Sequence, residues 1–152
     1  MDQLHKIPRI GIALALTLLL AACAMFAPRY DATLDQKTTG AYELVAGFAA
    51  SAEMGSYTDK ASFDGVASDY ASAQAQLAVA KLRAATLTTQ GKAAVKARDL
   101  LVGLIQGCSD RVGGFAAQHK AFGIQPATGA TQPMMVSCDQ AAKAAQAMKG
   151  GN

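Results

Sequence analysis

Few side chains in this sequence have the types and spacing to do chemistry: its 152 residues include two His, three Cys and no Trp. His5 lies in a short basic start, leaving His119 as the one imidazole in the body of the chain. With Met134 and Met135 it has the donor types of a soft Cu(I) site. His119 also falls between Phe115 and Phe122 at helical spacing, where a core histidine with satisfied nitrogens is the simpler reading. Asp99 and Asp110 share a helix face but stand three turns apart, about 16 Å at 1.5 Å per residue, too far for paired acid and base work on one bond. Gly-x-Ser-x-Gly, a dinucleotide glycine fingerprint and His-Glu-x-x-His are absent, and Gly91-Lys92 runs into Ala93 where a phosphate loop needs Ser or Thr. No catalysis, metal or cofactor is expected.

The third cysteine has a different setting. Met1 to Arg9 carries Lys6 and Arg9, and Ile10 to Ala22 is an uncharged run rich in Leu, the pattern of a secretory signal. It ends in Leu20-Ala21-Ala22-Cys23, which resembles the lipobox of bacterial lipoproteins. The resemblance implies cleavage before Cys23, with residues 1–22 removed, and a thioether between the Cys23 thiol and diacylglycerol. Small residues ahead of the Cys let a peptidase approach the backbone. By the same resemblance to Gram-negative lipoproteins, Ala24 in place of Asp implies sorting to the outer membrane, facing the periplasm. Two alternatives stay open: the uncharged run to Pro28 is close to the lower limit of a spanning helix, and ordinary cleavage after Ala22 or Ala24 would leave no lipid.

Processing at Cys23 would leave 130 residues with 12 basic and 10 acidic side chains. Such a near-neutral chain is not expected to bind nucleic acid. Residues 31–69 hold seven acids against two bases, and 81–120 seven bases against two acids. That reversal predicts pairing between neighbouring helices; a basic surface facing lipid phosphate is the alternative. With Cys23 acylated, Cys108 and Cys138 form an even pair in an oxidising compartment, and a bridge between them closes a loop of about 30 residues. Cys-x-x-Cys spacing is absent, which argues against redox work.

The elements that must position these residues read as helices. Ala supplies 30 of the 130 residues and Val plus Ile only nine, a composition that favours helix over strand. Apolar residues recur at 4-3 spacing along Leu101, Ile105, Cys108, Val112, Phe115, His119 and Phe122, with similar stripes from Leu34 to Ala52 and from Phe63 to Ala84. Punctuation predicts helices near 31–55, 60–86 and 89–122, with Gly55 as a C-cap and Thr88 or Thr89 as an N-cap. Gly123 to Val136, with two further punctuating prolines, reads as a loop. Ser137-Cys138-Asp139-Gln140 reads as a capping box opening a short helix over 138–149. Gly103, Gly107, Gly113 and Gly114 read as places for close packing or a kink.

The expectation is an all-α fold, a small antiparallel up-and-down helical bundle of three long helices plus a short C-terminal helix, spanning 31–152 behind a tether at 23–30. Ala24 to Tyr30 reaches about 23 Å at 3.3 Å per residue, so the bundle is expected to work beside the membrane as a structural or adaptor module with an envelope protein partner. Tyr30, Tyr57, Phe26 or Met134 would anchor that partner. A carrier of a small apolar ligand or a soft metal ion is the alternative.

Overall fold

The computed structural model of the chain describes residues 29–151. Cys23, Phe26 and the segment read as a signal lie outside the described residues. Four α-helices account for most of the rest: α1 (Ala32–Glu53), α2 (Phe63–Ala85), α3 (Gly91–Phe122) and α4 (Thr131–Ala147). Each packs on the next and α4 closes the ring against α1, which makes an antiparallel up-and-down bundle. Among the described residues no strand occurs, and no helix is long and apolar enough to cross a membrane.

Each helix begins and ends for local reasons. Asp31 caps α1 by accepting from the Leu34 amide at 2.9 Å. Beyond Met54 the chain turns at Gly55, whose φ of +80° suits a residue without a Cβ. Asp59 caps a 3-10 turn, Lys60–Ser62, that leads into α2. Neither Thr88 nor Thr89 caps α3; Gln90 occupies that position without a side-chain bond.

The C-terminal part departs furthest from expectation. α4 starts at Thr131, seven residues before Cys138, so the loop is short and Ser137 sits inside a helix instead of opening a capping box. Pro133 explains the difference. It is the third helical residue, where its missing N–H falls among the first-turn donors that have no helical partner. A proline that looks like a breaker is harmless there.

The expected stripes form the core. Leu34, Val45, Phe48, Tyr70, Leu77, Ile105, Val112 and Phe115 are all buried, with Ala41, Ala52, Ala73, Ala80, Ala84, Ala141 and Ala145 between them. Alanine lets backbones approach but contributes little apolar area, so burial per residue is modest. Phe122 leaves the stripe and is 81% exposed, and Ile124 enters the core in its place at 1%. Gly123 makes that exchange possible. Its φ is +75°, a Cβ there would overlap the Thr58 carbonyl, and the next amide, Ile124, donates to the Tyr57 carbonyl at 2.6 Å. The glycines inside α3 do not serve close packing. A Cβ at Gly103, Gly107 or Gly114 would meet nothing within 4 Å, and one at Gly113 would touch only the Gln74 amide.

Candidate functional site

Three clusters carry polar chemistry. The first surrounds His119 near the end of the bundle away from Arg29. His119 is fully buried on α3, stacked on Tyr57 with ring centroids 4.4 Å apart and edge-on to Phe63. Its Nε2 lies 2.8 Å from Ser62 Oγ, and its Nδ1 3.1 Å from Tyr70 Oη. Ser62 donates its hydroxyl hydrogen to the Asp59 carbonyl at 2.6 Å, which leaves its oxygen to accept from Nε2–H. Tyr70 then donates to Nδ1. Burial pushes the Tyr70 phenol well above its ordinary range and keeps it a donor.

A serine beside a histidine invites comparison with nucleophilic catalysis, but the polarity is reversed. A histidine acting as base must accept the serine proton at Nε2 and donate Nδ1–H to an acid. Here Nε2 donates and Nδ1 accepts. Burial also lowers the His119 pKa below 6.5, against a smaller upward pull from the Asp59 carbonyl, which favours the neutral ring. The arrangement ties the 3-10 turn, α2 and α3 together. It also engages both ring nitrogens that a soft metal would need. Met134 is 1% exposed and both Met134 and Met135 are helical, in α4, not in a loop over the bundle. Among the described residues no group of three His, Cys, Asp or Glu side chains is placed to hold a metal.

The second cluster is the cysteine pair. Cys108 on α3 and Cys138 on α4 bring their sulfurs to 2.04 Å with Cα atoms 4.6 Å apart, the distance of a disulfide, and both are 1% exposed. The cysteine count pointed to this pair, although the sequence pattern placed Cys138 at a helix start and the structure places it mid-helix.

The third lies where the chain joins α1. Asp35 is nearly buried, and its Oδ2 accepts from Tyr30 Oη at 2.8 Å and pairs with Lys149 Nζ at 2.6 Å. Lys149 also sits over the Tyr30 ring, 5.5 Å from its centroid. Burial alone would raise the Asp35 pKa; the bonds from Lys149 and Tyr30 outweigh it and hold the carboxyl below the usual range. Beside it runs an open groove of about 660 Å³ lined by Thr39, Glu43, Gln76, Gln146 and Lys149 among others. Its walls are polar, unlike the apolar lining that holds apolar ligands.

Of the expected partner anchors, Tyr57 (5%) and Met134 (1%) are buried in the core, while Tyr30 is partly exposed and taken up by Asp35 and Lys149. Sequence reasoning missed Ser62, Tyr70 and Lys149 as partners because each is 49 or more residues from the group it meets. Local spacing carries no signal at that range.

Charges also sort differently from expectation. Among the described residues only Arg83–Asp31, half-exposed and 3.8 Å long, pairs the basic segment 81–120 with the acidic segment 31–69. The antiparallel topology instead divides charge along the bundle. The end that holds the start of α1 carries Arg29, Lys37, Lys81, Arg83, Lys92, Lys96, Arg98 and Lys149 against Asp31, Asp35 and Asp99, a net +5. The opposite end carries five acids (Glu53, Asp59, Asp64, Asp69, Asp110) against Lys60, Arg111 and Lys120, a net −2. No protein-family model, curated protein or solved structure matches this chain. Residue chemistry and geometry are what bear on its function.

Proposed function

We propose that the protein is a lipid-anchored lipoprotein of the cell envelope, held at the outer membrane facing the periplasm, whose bundle is a structural or adaptor module for a larger envelope assembly. The observation that carries this reading is Leu20-Ala21-Ala22-Cys23 at the end of a basic and then apolar start. Two features of the bundle support it. Cys108 and Cys138 are engaged with each other, which leaves Cys23 as the thiol for acylation. The Tyr30–Asp35–Lys149 cluster fixes the point where a tether would leave the bundle.

Intact-mass measurement of the protein extracted in detergent tests the anchor. A mature chain that starts at Cys23 and carries acyl mass there is expected; any other start, or an unmodified Cys23, overturns it. For the adaptor role, photo-crosslinkers at Met54 and Phe122, which are 76% and 81% exposed at the end away from the tether, are expected to capture one abundant envelope protein. Capture of lipid alone would overturn the adaptor.

A further inference from the structure

We infer that the end of the bundle next to the tether lies against an anionic phospholipid surface, with the first turns of α3 and the last turn of α2 in contact with the headgroups. The inference rests on the lipid-anchor reading for which end the membrane holds. Tyr30, clamped by Asp35 and Lys149, places the exit of the tether at the start of α1. The ends of α2 and α4 and the start of α3 share that end of the antiparallel bundle.

Here α3 protrudes. Its 17 residues before Cys108 rise about 25 Å, against about 21 Å for the nine residues of α4 after Cys138 and the 3-10 turn Met148–Gly151 that continues them, so its first turns reach about 4 Å further. The first turns of α3 carry Lys92 and Lys96, which make no ion pair among the described residues, with Val95 37% exposed between them and Leu100, one turn further along, 65% exposed. On α2 the neighbouring Leu82 is 68% exposed. Lysines on flexible stems interleaved with exposed aliphatic side chains match an interface that offers phosphates above acyl chains. The opposite end is net negative and would be repelled by the same surface, so the charge distribution selects one orientation. An acidic protein surface would satisfy the lysines but gives no reason for the aliphatic residues to sit at the tethered end.

Because the chain contains no Trp, Leu100→Trp and Phe122→Trp each place a single fluorophore at opposite ends, both at exposed sites. The full chain, purified from membranes, is reconstituted into vesicles with brominated acyl chains, made of phosphatidylcholine alone or with phosphatidylglycerol. In anionic vesicles the L100W fluorophore is expected to be quenched at least about twofold more than that of F122W. The difference is expected to collapse in neutral vesicles, in about 1 M salt where screening acts within about 3 Å, and when Lys92→Glu and Lys96→Glu are added. Equal quenching at both ends, stronger quenching of F122W, or indifference to lipid charge would each overturn the inference. So would crosslinking of the α3 start to a protein in place of lipid. The mass of the N-terminal peptide in the same sample separates the two readings. Acylated Cys23 without an end preference sinks this inference alone, and an end preference without acylation sinks the anchor alone.

Discussion

At the scale of single residues the strongest constraint is that His119 stays neutral. Its ring is 0% exposed, accepts from Tyr70 and donates to Ser62, so a proton on Nδ1 would meet a donor at a fully buried ring. The folded pKa is lowered chiefly by burial, which makes the unfolded chain the better proton binder. Stability is therefore complete above the unfolded value of about 6.5 and falls as pH drops through it towards the folded value. Urea midpoints between pH 7.5 and 5.5 are expected to show that slope. His119→Gln is expected to flatten it and to cost about 1–3 kcal/mol at pH 7.5 by leaving buried partners unsatisfied. An unchanged slope in the variant would assign the pH dependence to other groups. Gly123 is constrained as tightly by its backbone. With φ +75° and the Thr58 carbonyl where a Cβ would go, Gly123→Ala is expected to cost at least about 2 kcal/mol, read from the same midpoints.

Among elements, α3 contains the clearest opportunity for gain. Gly103, Gly107 and Gly114 have open space where a Cβ would point, and each costs the helix up to roughly 1 kcal/mol relative to Ala. Replacing all three with Ala is expected to add about 2 kcal/mol and raise Tm by the order of 5 °C; a fall in Tm would mean that the helix needs their freedom. The same helix shows what the sequence makes legible. Its buried face from Leu101 to His119 follows the apolar recurrence residue for residue, because a long amphipathic helix has only one way to bury such a stripe. Short elements lack that redundancy. The start of α4 was obscured by Pro133, which reads as a break unless its place in the first turn is known. Tyr57 sits in a connector among polar neighbours, with nothing local to show that its ring stacks on His119 in the core. The candidate sites divide in the same way. The Cys108–Cys138 pairing follows from counting cysteines, whereas the Ser62–His119–Tyr70 chain and the Tyr30–Asp35–Lys149 clamp exist only after folding joins distant segments. The reversal of charge along the sequence was visible, but topology turned it into two charged ends.

For the whole molecule, the question is what holds the fourth quarter of the ring in place. The side chains that α4 and its C-cap bury are Thr131, Met134, Cys138, Ala141, Ala142, Ala145 and Met148, of which only the two methionines are large hydrophobes. At about 25 cal/mol per Å² such a face contributes far less than the stripes of α1 and α3. The link between Cys108 and Cys138 has to supply much of the rest. A bridge closing 30 residues is worth roughly 3–4 kcal/mol in the chain-entropy model, a large fraction of the stability of a small domain. Treatment with a reductant strong enough to open the buried pair is therefore expected to lower the unfolding free energy by that amount, read from the shift of the urea midpoint multiplied by m. Hydrogen exchange should show where the loss falls. Amides of α4 are expected to exchange ahead of those in α1, α2 and α3 once the bridge is open, because the three-helix remainder keeps Leu77, Ile105, Val112 and Phe115 packed while α4 loses its one covalent attachment to the other helices. Equal acceleration across all four helices would mean that the alanine-lined ring opens only as a unit, with the core and not the bridge keeping α4 in place.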